Sequence, residues 1–507
     1  MKRQRPSCFR FVLPDVKGHN ADMKTQRLIL FASLSGLFAY GQTTEELYQT
    51  HCSHCHGVRF QGGNAQSLVD GIWQFGSSPS HIYRNIKNGI THLGMPGYED
   101  ALTDQQMRDL TSFLLKAEEQ AGAVKPPPPA ELQTMDYDID VEPFAEGLEI
   151  PWDLAFLDEH TALVTERPGR LRVIQNGVLA PEPVQGLPEI FAEGQGGLLA
   201  VAFDPDYKKE GNRWIYLAYS HGLEKQPDQR RAAAMTRVVR GRIVDNRWID
   251  QQTLFEAPHE TYRTSRVHYG TRIVFNQQKD LFFSIGDRGA KEQAQDLSRP
   301  NGKIHRIHRD GSTPADNPFG DREDALPSIF CYGSRNAQGL SIHPQTDQLW
   351  ASEHGPMGGD ELNLIQSGQN YGWPVISYGR NYSGTIITEI VRKEGMEQPI
   401  WYWKPSTAVC GMEFYQGDLF PKWNNKLLVG ALKYEDVRVL SIEKDRVMHE
   451  EVILKNAGRV RDVTCGPDGA VYVVLNSPGT ILRLTPKPQA TGAFLDNPPL
   501  FDRLTCR

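Results

Sequence analysis

Cys52, Cys55 and His56 stand as C-x-x-C-H within HCSHCHG. Two thiols and an imidazole at this spacing can close a disulfide, hold zinc, exchange electrons as a dithiol, or anchor a haem. Zinc takes four ligands, usually from two well-separated pairs, and the chain has no second C-x-x-C. A thioredoxin-type pair belongs in a βαβ setting, and none follows. The other five cysteines are widely scattered, so they make no disulfide framework. The motif therefore points to covalent haem c, with thioethers from Cys52 and Cys55 and His56 as the proximal iron ligand. Met95, in a Gly-Met-Pro turn, is the expected sixth ligand. The turn offers a thioether without a helix around it, and a Met/His pair raises the haem potential for electron transfer. His92 is the rival ligand, and Met107 is expected in the core.

Two helices must position these groups. TTEELYQTH has a polar, capped start with Leu47 and Tyr48 as apolar residues, and it places the C-x-x-C-H at a helix end. After Met95, Leu102 precedes a helix with Met107, Leu110, Phe113 and Leu114 along one side. The pattern over residues 43 to 120 resembles a class I cytochrome c, which implies a small all-α monohaem domain over 42–120.

The 507 residues carry a net charge of −7, with 39% hydrophobic and 23% charged residues. Such a balance, with no Lys/Arg stripe, excludes nucleic acid as a partner. Residues 1–41 read as an extension and an export signal, with translation starting at Met23: Lys24 and Arg27 lead an apolar core from Leu28 to Phe38, then Ala39 and Gly41. The working compartment is then the periplasm or the cell exterior. No apolar run after residue 41 is long enough to span a bilayer.

Pro126 to Pro129 force an extended segment, so residues 121–140 read as a linker. From 141 to 487 the texture is all-β, and 488–507 form a tail. One plan recurs: an apolar strand, a turn with Asp, Pro or Gly, and a second apolar strand. It is seen in LAFLDEHTALVTERPGRLRVI, LAVAFDPDYKKEGNRWIYLAYS, TRIVFNQQKDLFFSIGD, GLSIHPQTDQLWASE and VRDVTCGPDGAVYVVLN, with a longer copy in GMEFYQGDLFPKWNNKLLVGALKYEDVRVL. Repeated units of this kind predict a β-propeller with an axial ligand channel; a β-sandwich would not repeat one plan for so long.

GQGGLLAVAFDPDY, HYGTRIVF, SIGDRG, GSRNAQGL, SEHGPMGGDELNLI, GQNYGWP and GRVRDVTCGPDG resemble the soluble quinoprotein aldose (glucose/sorbosone) dehydrogenases from about 142 to 486. The resemblance implies a six-bladed propeller using pyrroloquinoline quinone (PQQ) and calcium to oxidise sugars. It implies His268 as general base, in keeping with an ordinary pKa near 6.5, and Gln195 beside cofactor and substrate. Arg335, Asn336, Lys433, Arg459 and Arg461 fall where the family contacts a cofactor with three carboxylates. Forked guanidiniums suit carboxylates, and an R-x-R on a strand aims both side chains to one face; alone it is an ordinary solvated face. The loop HGPMGGDE implies a calcium site with carbonyls from Gly355 and Pro356, the Asp360 carboxylate, and Tyr371 following. His305, His308 and His354 are expected to be structural or surface groups.

One departure stands out: the glucose-oxidising branch has an acidic residue just before the base, and here it is Val267. The reading is an exported quinohaemoprotein that oxidises aldoses and passes electrons to its own haem. A downstream acceptor, such as a cytochrome, a quinone or an azurin-like protein, would follow. Alternatives are a sorbosone- or polyol-type dehydrogenase, a lactonase-like calcium propeller and a non-catalytic binding propeller.

Overall fold

The structure, a computed structural model, describes residues 42–62, 65, 67–70, 73, 79–90, 95–122, 128–227 and 230–488. The leader, His92 and all but the first residue of the tail lie outside these. No helix among the described residues is long and apolar enough to cross a membrane.

Among the described residues, four helices form the N-terminal unit: α1 (Thr44–His51), α2 (Ser53–His56), α3 (Pro79–Asn88) and α4 (Asp104–Ala121). Helices α1 and α4 both start in reciprocal capping boxes, Thr43 with Glu46 and Thr103 with Gln106, which satisfy amide N–H groups that the first turn leaves unpaired. Left-handed Gly122 ends α4. Leu47, Tyr48, Ile82, Ile86, Leu102, Met107, Leu110 and Leu114 make the core. Met107 is thus a packing residue, as its place on the apolar stripe predicts.

The rest is a ring of six antiparallel sheets. The first five each form a four-stranded meander: β3 to β6 (residues 151–179), β7 to β10 (198–255), β11 to β14 (273–332), β15 to β18 (337–403) and β19 to β22 (409–454). Each sequence repeat contains the inner hairpin of one blade, and the copies at 154–174 and 411–440 run on into the third strand. The sixth blade joins β23 (Val460–Cys465), β24 (Val471–Leu475) and β25 (Thr480–Pro486) to β1 (Glu131–Gln133) and β2 (Asp138–Ala145) from the other end of the domain. Pairing of β2 with β25, Val141 opposite Leu484, closes the ring. Six apolar clusters fill the seams between neighbouring blades, from Leu163, Leu198 and Leu217 at the first seam to Leu154, Val164, Val474 and Ile481 at the last. No blade buries both its faces alone, so the ring supplies stability that an isolated meander lacks.

The linker is shorter than 121–140, because residues 131–133 and 138–145 are strands of the last blade. A closed ring needs a strand from each end of the chain, and Tyr137 anchors this one. Its ring meets Phe420 and Trp423 edge-on, with centroids 5.1 and 5.4 Å away, and its hydroxyl accepts from Lys422 N at 2.7 Å.

Candidate functional site

In antiparallel meanders the start of the innermost strand and the turn after the second strand lie at the same end of the ring. Gln195 precedes β7, His268 precedes β11, Arg335 and Asn336 precede β15, and Arg459 precedes β23. Asp287 follows β12 (Leu281–Ile285), residues 354–359 join β16 (Leu349–Glu353) to β17 (Asp360–Ile365), and Lys433 follows β20 (Leu427–Ala431). One mouth therefore collects all of the residues that the propeller resemblance singles out except Tyr371.

His268 is the centre of this mouth. Its Nδ1 lies 2.6 Å from Asp287 Oδ1, and its backbone N–H donates to Gln195 Oε1 at 2.8 Å. Asp287 is held in turn: Oδ2 accepts from Trp373 Nε1 at 2.8 Å and Oδ1 from Gly289 N at 2.8 Å. Burial lowers the His268 pKa below its ordinary value; Asp287 opposes that shift and Arg335 adds to it. Burial pushes the Asp287 carboxyl up, but the His268 hydrogen bond and nearby positive charge outweigh it and leave the pKa low. The result is an imidazole held through Nδ1 by a carboxylate, with its pKa below the ordinary value. The backbone of His268 is left-handed, with φ of 57°, a conformation in which His is enriched among non-glycine residues. At Gly270, where φ is 81°, an added Cβ would come within 2.4 Å of the Ser284 carbonyl oxygen, so the chain leaving His268 needs glycine.

Sequence reading left the orienting group open because Val267 is not acidic. The carboxylate that the structure sets against His268 is Asp287, two residues beyond β12. Continuing the hairpin register of Ile273 with Phe283 brings residue 287 alongside residues 268 and 269, so the register held the clue.

The cations occupy distinct positions. Arg335 Nη1 donates to the carbonyls of His354 at 2.7 Å and Gly355 at 2.8 Å, and Arg335 N donates to Glu353 Oε1 at 2.7 Å. Asn336 Oδ1 accepts from Gly270 N at 3.1 Å. Arg461 is buried beneath the mouth, 3.8 Å from the Trp152 ring, and Nη1 donates to Gln338 Oε1 at 2.8 Å. Burial lowers its pKa to about 10, and among the described residues no carboxylate forms a salt bridge with it. Burial likewise lowers Lys433 to about 8. The R-x-R does not lie wholly on a strand as expected: β23 begins at Val460, its register shifts between Val460 and Asp462, and Arg459 is exposed while Arg461 is buried.

Of the four expected calcium-site residues, Gly355, Pro356 and Asp360 share one loop and Tyr371 lies apart from them. Gly355 and Pro356 are adjacent, and their carbonyls accept from Arg335 and from Ser406 Oγ at 3.0 Å. Asp360 acts as a clasp within the loop: Oδ1 accepts from Gly355 N at 2.8 Å, Oδ2 from the amides of Ala408 and Val409. The Tyr371 ring packs in the core between blades, with its hydroxyl donating to Leu364 O at 2.7 Å. No group of three or more His, Cys, Asp or Glu side chains among the described residues could hold a metal ion.

Of the three histidines expected to be structural, His305 is sealed between Ser328 Oγ and the Pro300 carbonyl, and His308 pairs with Asp280. His354 instead borders the mouth, which only the folding of its loop reveals.

In the helical unit, Cys52 caps α1 and opens α2, and Cys52 and Cys55 are not joined to each other. Burial raises the Cys52 thiol to about 11. Met95 pairs with Ile90 through backbone hydrogen bonds, and Tyr98, three residues on, donates to the His51 carbonyl at 2.7 Å. The Met95 turn is thereby tied to the C-x-x-C-H helix. Cys52, Phe60, Leu68, Trp73, Tyr83, Tyr98, Phe113 and Leu115 are only partly buried and pack against the core.

Residues 148–483 match the glucose/sorbosone dehydrogenase family, and residues 40–114 match cytochrome c oxidase, cbb3-type, subunit III. The aldose sugar dehydrogenase YliI of Escherichia coli (strain K12) is 42% identical over 356 residues, covering 69% of this chain and 93% of that protein. The apo-form crystal structure of the soluble aldose sugar dehydrogenase from Escherichia coli covers 69% of this chain and 100% of its own, at 40% identity and a TM-score of 0.65. The PQQ-bound form of the aldose sugar dehydrogenase from Streptomyces coelicolor covers 71% and 99%, at 26% identity and a TM-score of 0.55. With its six blades, the chain belongs to the glucose/sorbosone dehydrogenase family and carries a cytochrome c domain of the cbb3-type subunit III kind at its N-terminal side.

Proposed function

We propose that this protein oxidises aldose sugars at the propeller mouth with PQQ and passes the electrons to a haem c on its own N-terminal domain. The observation that carries the reading is the His268–Asp287 pair, 2.6 Å apart, together with Arg461, a buried cation that forms no salt bridge among the described residues. A buried guanidinium without a carboxylate partner is costly, and an anionic ligand relieves that cost. Arg335, Lys433, Arg459 and Arg461 would hold the cofactor carboxylates, and Asn336 would sit beside them. When bound, PQQ supplies an electrophilic carbonyl that accepts hydride.

The chain's own part is proton control. His268 Nε2 takes the proton from the sugar hydroxyl as the C–H bond gives up hydride and the C–O bond becomes a carbonyl. Asp287 keeps the proton on Nδ1 and stabilises the imidazolium that forms. Gln195 fixes the backbone of His268. Each carbonyl oxygen has two lone pairs, so Gly355 and Pro356 could still bind calcium, which would secure and polarise the cofactor. Asp360 would serve by holding their loop, and the Tyr371 side chain would act only through packing.

Cys52 and Cys55 would anchor the haem covalently, with His56 and Met95 as axial ligands. Export through the leader read at residues 1–41 would place the C-x-x-C-H outside the cytoplasm, in keeping with this reading. The test is a dye-linked oxidation screen of aldoses, sorbosone and polyols on the full chain loaded with PQQ and calcium. Aldose turnover dependent on PQQ is expected; its absence across the screen overturns the proposal. Denatured protein should retain its haem. Met95→Ala is expected to abolish the low-spin Met/His spectrum, and an unchanged spectrum would remove Met95 as a ligand.

A further inference from the structure

Arg288 is fully buried, and among the described residues the hydrogen bonds of its side chain run to main-chain carbonyls. Nη1 donates to Val267 O, and Nη2 to Ser265 O at 2.7 Å and Ala234 O at 3.3 Å. The guanidinium carbon lies 3.3 Å from the centre of the Tyr269 ring. What this cation holds is the approach to His268. Residues 264–272 form no strand, so no ladder supplies partners for their carbonyls, and buried backbone groups need partners. Gln195 N takes Arg266 O at 2.8 Å, and Arg288 takes the carbonyls on either side of it. Arg288 itself has a φ of 54°, a left-handed backbone uncommon outside glycine. Strain of this kind gathers where a site needs it. Here two adjacent side chains reach two points of one loop: Asp287 the His268 imidazole at 2.6 Å, Arg288 the carbonyl just before it.

We propose that Arg288 is a positioning residue for the base. Its fork fixes the backbone from which the imidazole enters the mouth, while Asp287 fixes the rotation of the ring. This rests on the role of His268 proposed above. A carboxylate can set the ring only if the chain carrying the ring stays in place, and a displacement of about 1 Å can cost about 10²-fold in rate. Lysine is a poor substitute, because an ammonium lacks the rigid fork that reaches two carbonyls in one plane.

The test compares wild type, Arg288→Met, Arg288→Lys, His268→Ala and the double variant Arg288→Met/His268→Ala, all as the full chain. Without cofactor, hydrogen exchange followed by mass spectrometry reads the order of residues 264–270, and tryptophan fluorescence reads the Kd for PQQ. In Arg288→Met these amides should exchange about tenfold faster with the other blades unchanged, and the Kd should stay near that of wild type. In loaded protein, Arg288→Met should lower kcat about 10²-fold at unchanged KM, with Arg288→Lys in between. In the His268→Ala background the same change should cost less than about threefold, because the group it positions is gone. An equal loss in both backgrounds overturns the proposal, since Arg288 would then support the blade at large. Unchanged exchange or unchanged kcat in Arg288→Met overturns it too, as does failure of both Arg288 variants to bind PQQ. If His268→Ala itself turns over like wild type, the base reading falls, and this inference with it.

Discussion

Replacing His268 by alanine is expected to lower sugar turnover ~10²–10⁴-fold, the range usual for a positioned general base, while PQQ still binds. Neither the backbone bond from His268 N to Gln195 nor the Arg335, Lys433 and Arg461 set depends on the imidazole. Stopped-flow reduction of loaded protein by saturating sugar measures the loss. Turnover within a few-fold of wild type would remove His268 from the chemistry. Asp287→Asn adds a test of direction. Because burial lowers the His268 pKa, the acid limb of kcat/KM should lie below the ordinary histidine value. Asp287 stabilises the imidazolium, so its loss lowers the pKa again. The acid limb of Asp287→Asn should therefore move to still lower pH while the plateau falls. A limb that moves upward would mean that Asp287 is not the partner of the base.

Separating the two domains is expected to slow haem reduction about 10³-fold at micromolar protein. Sugar oxidation delivers two electrons and one haem accepts one, so the reduced site must be emptied in two steps. A short tether would hold a haem on the N-terminal domain at an effective concentration in the millimolar range. The connecting sequence holds four consecutive prolines, Pro126 to Pro129, a composition expected to act as a semi-rigid spacer at ~3.1 Å per residue. A propeller begun at residue 128 keeps β1 and β2, and should oxidise sugar with an artificial dye as fast as the full chain. A start at Asp136 would discard β1. Haem reduction in the intact chain should be independent of protein concentration; a rate proportional to concentration would show that electrons pass between molecules.

Much of this protein follows from local sequence. The capping boxes at Thr43 and Thr103, the apolar stripe through Met107, Leu110 and Leu114, and six strand-turn-strand repeats are short-range patterns, and each is present in the structure. The C-x-x-C-H and the ordered propeller motifs identify chemistry because the residue types and spacings are themselves the requirement. Tertiary structure decided what depends on closure and on contact across strands. DIDVEP alternates as a strand should, yet only pairing with β25 at the far end of the domain turns it from linker into blade. The partner of His268 is not its neighbour Val267 but Asp287, nineteen residues on, because the blade's inner hairpin folds the chain back on itself. Arg459 and Arg461 part company because the strand begins between them with an irregular register. His354 is an ordinary histidine in the sequence; the loop clamped by Arg335 and Asp360 places it at the mouth. Sequence periodicity specifies which faces are buried, whereas the meeting of distant side chains is set by ring closure and by the register of each hairpin.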